Sequence, residues 1–232
     1  SKSTLQASKK IKIGIVTSHL RTHSVFDVLI RGILSELNRS KFFVHLYSTN
    51  AQKTDVKIMD TLQLDSYFSI SNEKQKKDLL EQILVDELDI LWYPEIGMDP
   101  VTIWLASQRL VPLQFVSWGH PITTGLRNID YFLSGQLIEG DESENHYREK
   151  LIKLPGTGCV TNFDNRRSKP GNWEKSFFPR NEPTFIIPQN PFKFHPNNDQ
   201  LLLQIAKAVP RGIFLIPENK KYPGSIKKIF IR

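Results

Sequence analysis

Residues 91–125 read LWYPEIGMDPVTIWLASQRLVPLQFVSWGHPITTG, and the pattern of that stretch decides the fold. Residues 89–93 close a short apolar run. Over residues 98–110 apolar side chains recur at helical spacing, with Val101, Trp104 and Leu105 on one face, and residues 113–118 are apolar again. Strand, helix and strand in this order make a βαβ unit, because parallel strands need a crossover that a helix supplies. Open parallel sheets bind ligands beyond the carboxyl ends of their strands. Two such ends fall here, Pro94-Glu95-Ile96-Gly97 and Trp118-Gly119-His120-Pro121. In the second, Gly119 permits a sharp turn and Pro121 fixes φ, while Thr123, Thr124 and Gly125 offer hydroxyls and N–H groups to an oxygen-rich ligand. A structural turn with an incidental histidine is an equal reading. Glu95 and Asp99 flank Gly97, where paired acids are expected to be a helix cap and a solvent group.

Working outward, residues 11–18 (IKIGIVTS) form a first buried strand. The loop after it carries His19 and His23, and residues 25–37 form an amphipathic helix with Ser24 as its N-cap. Residues 42–47 are a second strand. Residues 50–71 are mixed, with a short helix and then a strand at 67–70. Residues 73–87 are helical, and residues 129–134 and 151–154 are strands. Strands alternating with helices over about 155 residues predict an α/β, doubly wound parallel sheet. The loop SHLRTHS lacks G-x-G-x-x-G, which argues against a nicotinamide-dependent Rossmann enzyme. From spacing alone His19 and His23 are exposed loop histidines; from position, either can act as acid, base or hydrogen-bond donor.

Residues 156–183 change character, being rich in Asn, Arg, Gly and Pro with little apolar periodicity. Strand, turn, helix and strand resume at residues 184–187, 189–193, 196–209 and 212–216. This is the opening βαβ of a second α/β domain that does not close by residue 232. The expected organisation is a polar tail (1–10), a Rossmann-like first lobe (11–155), a linker (156–183) and the incomplete start of a second lobe (184–232). Lys193 follows the first strand of that second lobe, where it can reach a diphosphate near a helix N-terminus, although a plain surface lysine is the commoner fate. His195 lies close by in sequence.

Bulk properties narrow the classes. Hydrophobic residues make up 39% of 232, enough for an ordinary soluble core. A lone cysteine, Cys159, excludes an internal disulfide framework and a Cys-cluster metal site and fits a reducing, cytoplasmic setting. The polar first ten residues lack the apolar core of a signal peptide, and no run is long enough to span a membrane. The formal charge of +7 comes from lysines interspersed with acids and without interleaved aromatics. A solvated basic surface outweighs a nucleic-acid footprint by about three to one. There is no HExxH, no metal-spaced His/Asp/Glu set and no G-x-S-x-G.

The segment YPEIGMDPVTIWLASQRLVPLQFVSWGHPITTGLRNIDYFLSGQLIE, continuing through HYREKLIKLPGTG, resembles the catalytic region of O-GlcNAc transferase-like proteins of the bacterial SPINDLY type, a group that includes bacterial adhesin N-glycosyltransferases. W-G-H-P-x-T-x-G together with L-P-G-x-G is the specific part of the likeness, which extends more weakly over residues 12–217. The resemblance implies a GT-B fold of two Rossmann-like lobes and an inverting transfer from a UDP-sugar to a protein side chain, with no metal or other cofactor. It assigns His23 as the histidine after the first strand, a proposed base or active-site contact, although the family's N-H-P is Thr22-His23-Ser24 here. His120 matches the histidine of W-G-H-P, and Thr123, Thr124 and Gly125 match a turn lining the sugar and acceptor side. Lys193 matches a lysine that contacts the donor diphosphate, with Gln189 and Asn190 in its strand-end motif. The family's glycine-histidine-threonine-threonine donor loop, its ribose-binding acid and its preceding helical repeats have no counterpart in these residues, so the chain alone is expected to bind UDP weakly and to be inactive. The competing expectation is a degenerate, non-catalytic transferase lobe that serves as a protein-interaction module.

Overall fold

The computed structural model describes residues 9–62, 64–160, 182–189 and 193–216. They fall into two compact units, one ahead of residue 167 and one after it.

The first unit is a seven-stranded, all-parallel sheet in the order β3-β2-β1-β4-β5-β6-β7. Its strands are β1 (Ile11–Thr17), β2 (Phe42–Ser48), β3 (Ser66–Ser69), β4 (Ile90–Tyr93), β5 (Leu113–Ser117), β6 (Tyr131–Gly135) and β7 (Lys150–Leu154). Alternation along the strands feeds two cores, because successive side chains point to opposite faces. Ile15, Leu46 and Trp92 join Phe26, Ile30 and Leu34 on one face. Val16, Tyr47, Leu91 and Tyr93 join Leu79, Ile83, Val101 and Leu105 on the other. Near-continuous apolar strands with helices on both faces are the signature of a doubly wound sheet, and the expected architecture is the one observed.

The helices are shorter than the sequence pattern suggests. The run expected at residues 25–37 is a π-helical stretch, Val25–Ile30, passing into α1 (Arg31–Glu36). Ser24 does not cap it: its backbone is already helical and its side chain makes no cap bond. Then come α2 (Val56–Met59), α3 (Lys76–Val85) and α4 (Pro100–Ala106). Asp99 caps α4 by accepting the Thr102 N–H at 3.2 Å, with Pro100 in the first turn where no donor is missed. Residues 156–160, the expected beginning of the linker, pack on this unit. Gly158 (φ +63 to +72 with Gly156) lies on the Ser134 carbonyl, and a Cβ on Gly32 would fall 1.6 Å from the Val160 carbonyl oxygen.

The second unit has β8 (Thr184–Ile186) paired in parallel with β9 (Ile213–Leu215), connected through α5 (Asp199–Ala208). Phe185 stacks on Phe214 at 5.2 Å, yet none of its described residues is fully buried. The one βαβ unit among the described residues here has too few neighbours to cover its strands.

Candidate active site

Strand order reverses direction about β1 and β4, the first strand lying between β2 and β4. At such a switch point adjacent loops diverge and leave a crevice. The loops after β1, β4 and β5 meet there, and they carry His19, His23, Glu95, Gly97, Gly119 and His120.

His23 is half-buried at the entry to the Val25–Ile30 helix, and it does the capping that the sequence assigned to Ser24. Its Nδ1 accepts the Val25 N–H at 3.2 Å, its backbone N–H donates to Asp27 Oδ2 at 3.2 Å, and its carbonyl accepts the Asp27 N–H at 2.9 Å. Burial, followed by the charges of His19 and Arg21, holds the imidazole below its ordinary range, against smaller opposing effects of Glu95 and Asp27. A neutral ring whose Nδ1 lone pair is taken by a backbone donor carries its proton on Nε2. His23 is therefore set up as a hydrogen-bond donor.

His19 lies parallel to His23, with ring centroids 4.1 Å apart and 7° between planes. It is 6% exposed, and its backbone N–H donates to Thr17 Oγ1 at 3.1 Å. Among the described residues neither of its ring nitrogens has a hydrogen-bond partner. Its Nε2 faces Oε1 of Glu95 at 3.5 Å. Glu95 is not the solvent-facing acid expected from the sequence: it is fully buried, and Oε2 accepts the Met98 N–H at 3.2 Å. Two residues earlier in the chain, the Tyr93 hydroxyl is buried without a partner among the described residues, and burial raises its pKa.

His120 is half-buried with its ring edge on Gly97. A Cβ on Gly97 would lie 2.6 Å from His120 Cδ2 and 3.0 Å from Nε2, and the φ of +131° there suits only glycine. Gly119 closes the same gap one residue earlier. Its N–H donates to the Pro94 carbonyl at 3.1 Å, and a Cβ would sit 2.5 Å from that oxygen and 3.0 Å from Glu95 Cβ. Trp118 ties the turn to the L-P-G-T-G segment through an Nε1–H bond to the Thr157 carbonyl at 2.9 Å.

Thr123 and Thr124 turn their hydroxyls inward to Glu149, a 4%-exposed carboxylate from the start of β7 that nothing in the local sequence marks. Thr123 donates to Oε2 at 2.7 Å, the Thr124 hydroxyl and its N–H (2.9 Å) both donate to Oε1, and the threonine oxygens accept the Arg148 and Leu126 N–H groups. Gly125, with φ +67°, is exposed and donates its N–H to Thr123 Oγ1 at 3.3 Å. The hydroxyl protons are thus committed inside the turn.

The remaining sequence candidates belong to the second unit. Lys193 and Gln189 are exposed, the Gln189 N–H donating to Ile187 O at 2.8 Å, and Asn190 lies outside the described residues. His195 caps the turn before α5 by accepting the Asn197 N–H at 3.3 Å. Among the described residues no three His, Cys, Asp or Glu side chains are grouped as metal ligands would be, and no helix is long and apolar enough to cross a membrane.

No protein-family model matches the chain. Among curated proteins it is 26% identical over 152 residues to a UDP-glucose:protein N-beta-glucosyltransferase of Actinobacillus pleuropneumoniae serotype 5b (strain L20), covering 64% of this chain and 23% of the relative. The enzyme of the same name from serotype 7 (strain AP76) is 30% identical over 117 residues, covering 49% of this chain and 18% of the relative. A protein of Arabidopsis thaliana named a probable UDP-N-acetylglucosamine–peptide N-acetylglucosaminyltransferase, SPINDLY, is 25% identical over 151 residues, covering 63% and 16%. This chain therefore spans about a fifth of the length of these relatives. Among solved structures, a mutant O-GlcNAc transferase of Thermobaculum terrenum superposes with a TM-score of 0.71 at 22% identity, over 90% of this chain and 38% of the other. The fold is thus the Rossmann-like parallel sheet of that GT-B protein, and in sequence the chain is similar to the SPINDLY-type protein glycosyltransferases its motifs resemble.

Proposed function

We propose that this chain is the N-terminal catalytic lobe, with the start of the donor-binding lobe, of a cytoplasmic protein glycosyltransferase. The enzyme moves glucose or N-acetylglucosamine from a UDP-sugar to an Asn, Ser or Thr side chain, with inversion at the anomeric carbon and without a metal or other cofactor. The observation that carries this reading is the convergence of His23, His120 and Gly97 at the carboxyl ends of β1, β4 and β5. The names of the curated relatives support a nucleotide sugar as donor and a protein as acceptor.

In this mechanism the His23 Nε2–H is a donor that orients the acceptor side chain or the sugar, as a neutral imidazole beside a helix start can do without giving up its proton. His120, seated on Gly97, contacts the acceptor from the β5 side. The turn of Thr123, Thr124 and Gly125 lines the site with backbone, its hydroxyls held back by Glu149. Lys193, with Gln189 and Asn190, stabilises the charge that develops on the departing diphosphate, which is where preorganised donors contribute most to rate.

The test is transfer itself. Protein containing this chain and the remainder of its second lobe is incubated with UDP-glucose or UDP-N-acetylglucosamine and with Asn- and Ser/Thr-containing peptides, and products are read by mass spectrometry. Glycopeptide is expected, with His23→Ala and Lys193→Ala each lowering the rate about 100-fold. No product from either sugar, or unchanged rates in both variants, overturns the assignment. These 232 residues alone are expected to bind UDP weakly in calorimetry, and micromolar binding would contradict that part.

A further inference from the structure

Glu95 has no part in the roles above, and its surroundings are unusual. A fully enclosed carboxylate is costly unless its charge is matched and its oxygens are bonded. One oxygen takes the Met98 N–H; the other takes no hydrogen bond among the described residues and faces His19 Nε2 at 3.5 Å. His19 is likewise enclosed with both ring nitrogens unbonded, and its flat face lies against His23. A closure of a few tenths of an ångström makes the Glu95–His19 contact a charge-assisted hydrogen bond. A carboxylate at one edge of an imidazole fixes both its plane and which nitrogen carries the proton. Glu95 is the charged group that faces an edge of the His19 ring, and the plane of that ring is shared by His23, which is stacked on it and held in turn by the Val25 N–H.

We infer that Glu95 is a positioning residue: through the Nε2 edge of His19 it fixes the ring on which His23 lies, and so sets the orientation in which His23 offers its Nε2–H. The groups facing His23 are His19 and Arg21 from its own loop, Asp27 from the following helix and Glu95 from the end of β4. Only Glu95 reaches it from another strand and through a second ring. The inference rests on His23 being the working donor of the proposed transfer site.

The test uses this chain and reads the rings directly. Imidazole nitrogen NMR and amide hydrogen exchange are compared between the wild type and Glu95→Gln. In the wild type His19 and His23 are each expected in a single tautomer, protonated on Nε2. In Glu95→Gln the single tautomer of His19 is expected to be lost, and the Val25 amide, which His23 Nδ1 accepts, to exchange about tenfold faster. The Thr124 and Leu126 amides, held by Glu149 and Thr124, are expected to keep their rates, which separates repositioning from general loosening. A folded Glu95→Gln protein with His23 and Val25 unchanged overturns the inference. If that variant does not fold, His19→Phe keeps a flat ring beneath His23 without a nitrogen for the carboxylate. The same acceleration at Val25 is then expected, and its absence overturns the inference equally. No sugar transfer enters the readout, so a chain that shows the ring effect but transfers nothing removes the glycosyltransferase reading and the working role of His23, and leaves the positioning of the two rings by Glu95.

Discussion

Two strand-end turns of the same sheet treat their polar groups in opposite ways. In the turn after β5, each oxygen of Glu149 is hydrogen-bonded and the hydroxyls of Thr123 and Thr124 both donate and accept. Across β4, both ring nitrogens of His19 and one oxygen of Glu95 have no hydrogen-bond partner among the described residues. Satisfied buried networks rigidify a fold, whereas unsatisfied ones cost stability and are kept where function needs them. The first turn is scaffold; the second encloses polar groups that it leaves unbonded.

The sharpest way to break this contrast is Glu149→Ala. It leaves two threonine hydroxyls and a backbone N–H without their acceptor, and about 3 kcal/mol of stability, or ~9 °C in Tm, is expected to be lost. Urea or thermal denaturation measures it, and a loss below about 1 kcal/mol would show that the turn is not the scaffold described. Gly97→Ala comes next. A side chain at φ +131° that also presses on His120 is expected to cost about 2 kcal/mol and to shift the His120 ring resonances. Wild-type stability with an undisturbed His120 would dissolve the link between the β4 and β5 turns.

His23→Ala removes a cap, with about 1 kcal/mol expected, whereas His23→Asn keeps an acceptor for the Val25 N–H and is expected to recover most of it. Equal losses in the two variants would mean that capping is not what His23 contributes to stability. The smallest effect is a pH dependence. Burial, the largest cause in both, lowers His23 and His45 from 6.5, so each favours the folded state above that value, and the contribution is lost as pH falls through the depressed folded values. Stability is therefore expected to decline on acidification from pH 7 toward 5 and not on a rise to pH 8. Hydrogen exchange is expected to loosen Val25 first, while Thr124 and Leu126, bonded to no histidine, keep their protection over the same range. Simultaneous loosening of both turns would erase the distinction.

Much of the fold could be read in the chain because its signals are local. The nine strands among the described residues fall within a few residues of the predicted runs, since buried parallel strands are rich in Val, Ile, Leu and Phe. Helix ends were less legible. The periodicity of residues 25–37 has no marker for a π-helical start, and the serine at 24 has the right chemistry in the wrong conformation. The candidate site was half legible. His23, His120 and the Thr123–Thr124 turn stood out by residue type at strand ends. Glu95 did not, because an acid beside a glycine turn gives no sign of being enclosed until the β1 loop is laid over it. Glu149 could not be found locally at all, lying 26 and 25 residues from the two hydroxyls it binds.

Gly97 and Gly119 carry a consequence for how such a protein can change. The space a side chain would need at either position is already filled, by the His120 ring in one case and by the Pro94 carbonyl in the other. A larger residue at either position must therefore displace one of these groups, so substitution at the seam between the two loops strains both at once. Change is easier at the rim, where exposed side chains such as Met98 and Ile122 can be replaced without moving either loop.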